Sequence, residues 1–323
     1  MTTHIILIFT LSLGFVSVGS AADQKPSSGV QLTQLTNRVR VEVNGRLLTK
    51  YYFKDVPRPY CYPLMGPGNE AMTRKWPMEE FPNEEHDHPH HRSVWFAHGN
   101  VNGKDFWSEV KGAGKIVHES FKTVKSGRKE GTIHAKDRWL ADDGTVVCTD
   151  EQILRFYAPE PDGGQLLDVE MKLFASNGEL TFGDTKEGTM AVRVAETMRL
   201  KGKTGHGHIV QSTGVKDEET WGRKADWCDY YGPVDGKTVG IAMFDNPANP
   251  RHPTWWHVRD YGLFAANPFG QHDFEHLPDK TAGNLVVPSG KSVTFKYRLY
   301  IHSGDEKTAK VAEHYQRYIA GSK

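Results

Sequence analysis

Short alternating segments, separated by strong turn residues, constrain the fold of this chain more than any other feature. Val39–Val43 alternates apolar and polar side chains, and Asn44-Gly45 then offers the two-residue turn that best fits the twist of a β-hairpin. The returning strand is predicted over Leu47–Phe53. Because successive side chains of a strand point to opposite faces, this pattern predicts a sheet with one buried face.

The same pattern continues along the chain. A second meander begins near Ile116, and its breaks at Asp142-Asp143-Gly144 and at residues 159–164 carry Gly, Asp and Pro, which favour tight turns. Further strands are predicted at Ile133–Leu140, Val146–Tyr157, Leu166–Phe174, Thr189–Leu200, Thr238–Phe244, Gly262–Ala266 and Ser292–His302.

One segment predicts a helix. After Gly304 and Asp305, which could cap its start, apolar residues recur at helical spacing at positions Val311, Ala312, Tyr315, Tyr318 and Ile319. The predicted fold is therefore all-β: a large antiparallel β-sandwich with a C-terminal helix, formed by residues 23–323 as a single domain. Two smaller domains are the alternative. Long loops at 57–92 and 245–258 are rich in Pro and aromatic residues, and sites usually lie on such loops.

The first 22 residues are typical of a secretory signal peptide. The apolar run Ile5–Val18 is followed by small residues, with cleavage expected after Ala21 or Ala22. The run is 14 residues long, shorter than the ~20 that span a bilayer, so we expect an exported protein, periplasmic or extracellular, without stable membrane insertion. Forty basic residues balance forty acidic ones, and no basic run is interleaved with aromatics, so a nucleic-acid partner is not expected.

Three cysteines exclude a fold stapled by disulfides. Cys61, Cys148 and Cys228 allow at most one internal disulfide, and the sequence does not indicate which pair would form it.

Histidine is concentrated in one short segment. Five of the 16 histidines lie within thirteen residues: His86, His88, His90, His91 and His98. Imidazole ionises near neutral pH, binds metals and transfers protons. We expect one of His88, His90 and His91 to act as a general base or acid, with the neighbouring Arg92 and Trp95 contacting the ligand.

The same segment could instead bind a divalent metal. If it were extended, His86, His88 and His90 would share one face and could ligate Zn, Mn or Fe. Pro89 disfavours a regular strand here, and the spacing matches no zinc-protease motif. No other cofactor is indicated.

A second constellation follows about 160 residues later, in a Pro-rich loop. His252 and His257 are candidates for the opposing acid, Trp255 and Trp256 for a stacking platform, and Arg259 for an anchor that could bind a carboxylate. Adjacent residues of a strand face opposite ways, so one of the two tryptophans is expected in the core.

Polar residues on one predicted strand and directly after another complete the candidate set. Arg193 and Glu196 lie on one strand, where a buried charge requires a partner. Asn267 and His272 follow the strand Gly262–Ala266 and could line the same pocket.

Several separated blocks resemble a bacterial family labelled PmoA-like. The matching blocks are Arg58-Pro59-Tyr60, Pro63-Leu64, the segment 88–93, the segment 102–107, the segment 251–257 and the segment 261–270. The resemblance implies a fold similar to the large sandwiches of aldose mutarotases and some polysaccharide lyases. The label invokes a membrane-embedded methane monooxygenase subunit, and methane oxidation is not expected of a chain that has no transmembrane segment beyond its apolar leader.

These features predict a carbohydrate-active enzyme. Its histidines would transfer a proton at a ring or glycosidic carbon of a sugar or glycoside, and epimerisation, elimination and hydrolysis all remain open. A sugar-binding module without chemistry is the alternative, and a structural metal site is a third. The enzyme hypothesis requires the histidine cluster to meet His252 or His257 in space, and predicts that His90→Ala abolishes turnover.

Overall fold

Two large antiparallel sheets make up most of the molecule. A computed structural model describes residue 1 and residues 28–321, so the predicted signal peptide lies, apart from Met1, outside the described residues. Strands and helices are numbered along the chain. Neither helix of the described residues is long and apolar enough to cross a bilayer.

Within residues 28–321, the first sheet contains nine strands. They lie side by side in the order β1 (Val30–Gln34), β2 (Arg38–Val43), β3 (Arg46–Tyr52), β4 (Tyr60–Cys61), β5 (Val94–His98), β11 (Gly188–Arg193), β17 (Leu263–Asn267), β16 (Thr254–Val258) and β13 (Lys224–Ala225).

The second sheet contains eight strands in the part of the chain that the structure describes. Their order is β12 (His208–Gln211), β14 (Trp227–Val234), β15 (Lys237–Asp245), β19 (Ser292–Ser303), β9 (Gln165–Phe174), β8 (Val146–Tyr157), β7 (Glu130–Leu140) and β6 (Lys115–Lys125). The remaining elements are a small pair, β10 (Leu180–Phe182) with β18 (Leu285–Val287), two 3-10 turns (Glu196–Met198 and Asp217–Thr220), helix α1 (Gln271–Glu275) and helix α2 (Val311–Ala320).

The core lies between the two sheets. The hydroxyl of Tyr51 on β3 donates to Gln152 Oε1 on β8 at 2.8 Å. The ring of Phe96 on β5 packs against Trp139 on β7 at 6.5 Å and Phe295 on β19 at 6.3 Å between centroids. The predicted all-β antiparallel sandwich with a C-terminal helix is therefore confirmed.

Helix α2 covers the outer face of the second sheet. The ring of Tyr315 meets that of Phe244 on β15 edge-on at 5.6 Å. The sequence predicted a helix that starts after Gly304 and Asp305, but the helix begins at Val311. Lys310 has a left-handed backbone (φ 53°), which a right-handed helix cannot contain. Asp305 instead accepts the amide of Thr308 in an earlier turn.

The predicted strands match the observed ones closely where one face of the strand is exposed to solvent. Strands β7, β8 and β9 alternate between buried and half-exposed residues, and all three were predicted to within a few residues. Strands β5 and β16, in which all five residues are buried, were not predicted, whereas the equally buried β17 was predicted at Gly262–Ala266. Strand β11 ends at Arg193 rather than Leu200, because the chain turns into the 3-10 segment Glu196–Met198.

The three cysteines are free thiols in the described structure. Cys61, Cys148 and Cys228 are all buried and none is paired with another. Burial raises the pKa of Cys61 to about 12, which keeps it in the unreactive thiol form at neutral pH.

His98, the last residue of β5, lies fully buried behind the small β10–β18 pair. Its Nε2–H donates to the carbonyl of Gly183 at 2.8 Å, and its ring packs against Phe269 at 4.6 Å. Burial lowers the pKa of His98 to about 4, so the imidazole is neutral in the folded protein at neutral pH.

Acid should therefore destabilise the fold through His98. Between pH 6.5 and about 4 the unfolded chain binds a proton at this residue that the folded chain does not, so the free energy of unfolding falls as the pH falls. Between pH 7 and pH 4, His98 should lower the free energy of unfolding of the unmodified protein by up to about 3 kcal/mol, and His98→Gln should remove that decrease. Chemical denaturation at several pH values measures the difference. The matched control is His206→Gln, which removes an exposed imidazole. Equal slopes for His98→Gln and the unmodified protein would contradict the assignment.

Candidate functional site

The central strands of the first sheet direct alternate side chains to opposite sides. Phe96 faces the core, whereas its neighbour Trp95 packs against His91 at 5.3 Å and Trp107 at 5.2 Å between centroids, both of which belong to surface loops. These loops cover the outer face of the sheet, which explains why its central strands are buried on both faces.

A cleft of about 400 Å3 opens between these loops. Five residues predicted from the sequence line it, namely His88, His90, His91, His257 and Arg259. Further lining residues that carry polar or aromatic groups are Asp105, Trp107, Lys186, Glu187 and Tyr261. The histidine cluster and the end of the second constellation therefore form one site, as the enzyme hypothesis requires. We name it the His88 cleft.

A single carboxylate organises the histidine loop. Asp87 Oδ1 accepts hydrogen bonds from Arg74 Nη1 and from Arg193 Nη2, the latter at 2.7 Å, and Asp87 Oδ2 lies 2.9 Å from His88 Nδ1. Burial alone would raise the pKa of Asp87, but the His88 bond and the charges of Arg193 and Arg74 outweigh it and hold that pKa well below its usual range. Asp87 is therefore ionised.

His88 occupies a strained backbone conformation. Its φ of 46° lies in the left-handed region, which costs an L-residue roughly 1–2 kcal/mol. The His88 carbonyl accepts from Arg74 Nη2 and from the amide of His91, each at 3.0 Å. Such strain persists where the surroundings enforce it, and it concentrates at functional sites.

The hydrogen-bond partners assign opposite tautomers to two neighbouring histidines. Ionised Asp87 can only accept, so a proton of His88 lies on Nδ1, and an imidazole with this single proton carries its lone pair on Nε2. Arg193 Nη1 lies 3.0 Å from His91 Nδ1. Because a guanidinium can only donate, Nδ1 accepts and the proton of His91 lies on Nε2. Burial, reinforced by Arg193, holds the pKa of His91 well below its usual value, so His91 is neutral.

Four rings stack in one column beside the cleft. The centroid distances are 5.3 Å from Trp95 to His91, 4.7 Å from His91 to His88 and 4.8 Å from His88 to Tyr261. The two histidines are thus fixed by their ring faces as well as by their Nδ1 atoms, and their Nε2 atoms remain available to a ligand.

Arg58 joins the histidine loop to the next loop. Its guanidinium donates to the carbonyls of His90 (3.0 Å) and Trp107 (2.6 Å), and it pairs with Glu109 at 3.3 Å. Burial, followed by the charge of Arg58, lowers the pKa of His90 to about 4. His90, like His91, is therefore a neutral imidazole on the cleft wall.

The opposite wall contributes His257 and Glu187. His257 Nδ1–H donates to the carbonyl of Lys186 at 2.6 Å, so its lone pair lies on Nε2. Burial lowers the pKa of His257 to about 3, even though that hydrogen bond opposes the shift. Burial also raises the pKa of Glu187, which favours its protonated form. A Cβ on Gly99 would lie 2.7 Å from the Cβ of Glu187, so this approach requires glycine.

The predicted metal triad of His86, His88 and His90 is not formed. His86 turns away from the cleft and stacks on Trp76 at 4.8 Å, because the loop around Pro89 is not an extended strand. Within residues 28–321 no three His, Cys, Asp or Glu side chains are placed so that they could share one metal ion.

Three residues of the second constellation do not line the His88 cleft. His252 Nδ1 lies 2.7 Å from buried Asp245 Oδ2 instead. Trp256 is fully buried in the core, as expected for one of the two tryptophans. Trp255 Nε1 donates to Glu275 at 3.0 Å and its ring lies beneath Lys224, in a neighbouring cleft.

Trp95 and Arg193 lie behind the cleft. The other predicted ligand-binding residues form hydrogen bonds or ion pairs outside it. Arg92 forms a two-point ion pair with Glu109, Glu196 pairs with Arg199, Asn267 donates to the carbonyls of Thr185 and Lys186, and His272 lies 2.9 Å from Asp184. Each of these side chains supports the loops around the cleft without lining it.

Sequence reasoning assigned no role to several residues that build the site. Arg58 and Arg74 are buried charges within a long loop, where no periodic pattern signals burial. Tyr261, Lys186 and Glu187 lie in turns before strands, and only their position in the fold brings them to the cleft.

Similar solved structures are distant. An alpha-galactosidase from Lactobacillus brevis shares 8% identity at TM-score 0.39, over 85% of this chain and 39% of that one. The galactosidase domain of an alpha-galactosidase-sucrose kinase shares 8% identity at TM-score 0.35, over 86% of this chain and 41% of that one. The chain thus spans about two fifths of these two structures. A galactose mutarotase related enzyme from Lactobacillus acidophilus shares 11% identity at TM-score 0.28, over 85% of this chain and 97% of that one. Likeness at this level assigns no function.

No curated protein matches the chain. The expected membership of a PmoA-like family is wrong, because the family whose model matches residues 38–316 carries no methane oxygenase label. Over most of its length, the chain belongs to the family described as a family of unknown function (DUF6807).

Proposed function

We propose that the protein is an exported carbohydrate-active enzyme whose His88 cleft transfers a proton to and from a sugar or glycoside. The observation that carries the proposal is the Asp87–His88 pair, in which an ionised carboxylate fixes the proton of the imidazole on Nδ1. This arrangement leaves Nε2 as a base directed at the ligand, as catalytic carboxylate–histidine pairs require.

The cleft suits a small polar ligand with apolar faces. Its volume of about 400 Å3 falls within the range of small-molecule sites. Trp107 and Tyr261 supply aromatic walls, and the histidines supply both donors and acceptors. A sugar ring has C–H faces that pack on aromatic rings and a rim of hydroxyl groups that bond to such donors and acceptors.

The protonation states divide the chemical roles. His88 Nε2 accepts the proton, His91 Nε2–H donates a hydrogen bond that stabilises developing negative charge on oxygen, and Glu187 returns a proton from the other wall. Burial keeps Glu187 protonated to higher pH than an exposed glutamic acid, as a general acid needs. One proton leaves the ligand for His88 and one returns from Glu187, so charge balances over the transfer.

The tautomers can be tested without a known substrate. Long-range proton–nitrogen correlation spectra at neutral pH should show the proton of His88 on Nδ1 and that of His91 on Nε2, because Asp87 only accepts and Arg193 only donates. The variants His88→Gln and His91→Gln identify the resonances, and exposed His206 serves as a reference. A proton on His91 Nδ1 would contradict the mechanism.

Catalysis is tested by following proton exchange on sugars. The protein is incubated in D2O with a panel of mono- and disaccharides, and NMR detects deuterium incorporation, anomer interconversion, a new double bond or bond cleavage. We expect His88→Gln to slow the observed reaction by about a hundredfold to ten-thousandfold while the protein remains folded.

The control is His208→Gln, which lies outside the cleft and should retain full activity. Unchanged turnover in His88→Gln would refute its role as the base. A sugar that raises the melting temperature without yielding any product would identify a binding module in place of an enzyme.

A further inference from the structure

Arg259 presents an unpaired guanidinium to the His88 cleft. It follows β16 in a fixed turn, in which its amide donates to the carbonyl of Leu263 at 2.7 Å and its own carbonyl accepts from Gly262 at 3.0 Å. The side chain is half-buried, and no carboxylate or other hydrogen-bond acceptor is paired with it among residues 28–321. The charge is therefore rigidly placed and uncompensated.

Two aromatic rings hold this guanidinium in position. Its central carbon lies 5.7 Å from the ring centroid of Trp221 and 5.6 Å from that of Tyr261. Contacts with ring faces fix the plane of the guanidinium while leaving its N–H edge free for hydrogen bonds. Other arginines around the site differ, since Arg58 and Arg193 direct their N–H groups to protein acceptors.

The unpaired charge in the cleft is positive. Lys186 also lines the cleft, and its ammonium forms no ion pair within 4.0 Å among residues 28–321. Of the two cleft carboxyl groups, Asp105 already accepts the amides of Trp107 and Ser108, and burial raises the pKa of Glu187 against the opposing charge of Lys186. A ligand that brings no negative charge would leave Arg259 and Lys186 unpaired when it excludes water, which is costly.

We propose that the ligand of the His88 cleft is an acidic sugar whose oxyanion is bound by Arg259, with Lys186 as a second positive group. This inference rests on the function proposed above and specifies the substrate class. The fork of N–H groups on Arg259 matches the two oxygens of a carboxylate in one plane, which favours a uronic acid. A sulfate or phosphate ester on a neutral sugar offers the same charge.

Direct binding separates these ligands. Calorimetry with the full chain compares D-glucuronate and D-galacturonate with D-glucose and D-galactose, and adds D-glucose 6-sulfate and D-glucose 6-phosphate. We expect the uronates to bind at least about tenfold more tightly than the neutral sugars, because a hydrogen bond between charged groups contributes more than a neutral one. Tighter binding of either ester than of the uronates would identify the bound oxyanion as an ester group, and it would still support an anionic ligand.

Two variants test the role of Arg259. Arg259→Gln should remove the preference for acidic sugars, and Arg259→Lys should retain part of it, because the charge remains but the planar fork is lost. Arg128→Gln, which removes the same charge from an exposed turn between β6 and β7, should leave the preference unchanged. Thermal unfolding of each variant confirms that the protein remains folded.

The outcomes distinguish this inference from the function on which it rests. Neutral sugars that bind as tightly as acidic ones, or a preference that survives Arg259→Gln, overturn the inference and leave the proposed function intact. If none of the six sugars binds, the proposed function fails and the inference fails with it.

Discussion

The charge on Asp87 is the interaction on which the site depends. Arg74 and Arg193 are both fully buried, and the guanidinium of each donates to the same oxygen of this carboxylate. Burying two cations without a counter-charge would cost several kcal/mol each, so these ion pairs stabilise the loop conformation that brings Asp87 between them. In that conformation, Asp87 fixes the tautomer of His88 and Arg193 fixes the tautomer of His91. Loop stability and acid/base chemistry therefore have one electrostatic origin.

The sandwich supplies the rigid surface that this arrangement requires. Arg193 projects from β11, a central strand whose six residues are all buried, and His257 projects from β16. Side chains on central strands of a large sheet have little freedom, because neighbours on both sides fix the backbone. The long loop can therefore be positioned against them accurately, although it has almost no regular secondary structure of its own.

The sequence predicted the parts of the molecule that repeat a simple pattern. Alternating burial located β7, β8 and β9, and helical spacing located α2. The concentration of histidines indicated the loop that carries the candidate site. We expected this loop to meet the second constellation, and His257 and Arg259 of that constellation line the same cleft.

What could not be predicted depends on partners distant in the chain. His252 and His257 are equivalent by composition, and only the fold directs one to Asp245 and the other to the cleft. The metal triad failed for the same reason, since its spacing assumed a strand where the chain forms a loop. Asp87 lies 106 positions before Arg193, and no local signal connects them.

The way in which the arginines bind the loops affects how the family can diversify. Arg58 and Arg74 donate largely to main-chain carbonyls, including those of Glu85, His88, His90, Trp107 and Ser108. Every amino acid has a carbonyl group, so substitutions at the cleft rim can change the side chains that meet a ligand without removing these bonds. The chemistry at the base of the cleft and the selectivity at its rim can therefore evolve separately, on a backbone that stays in place.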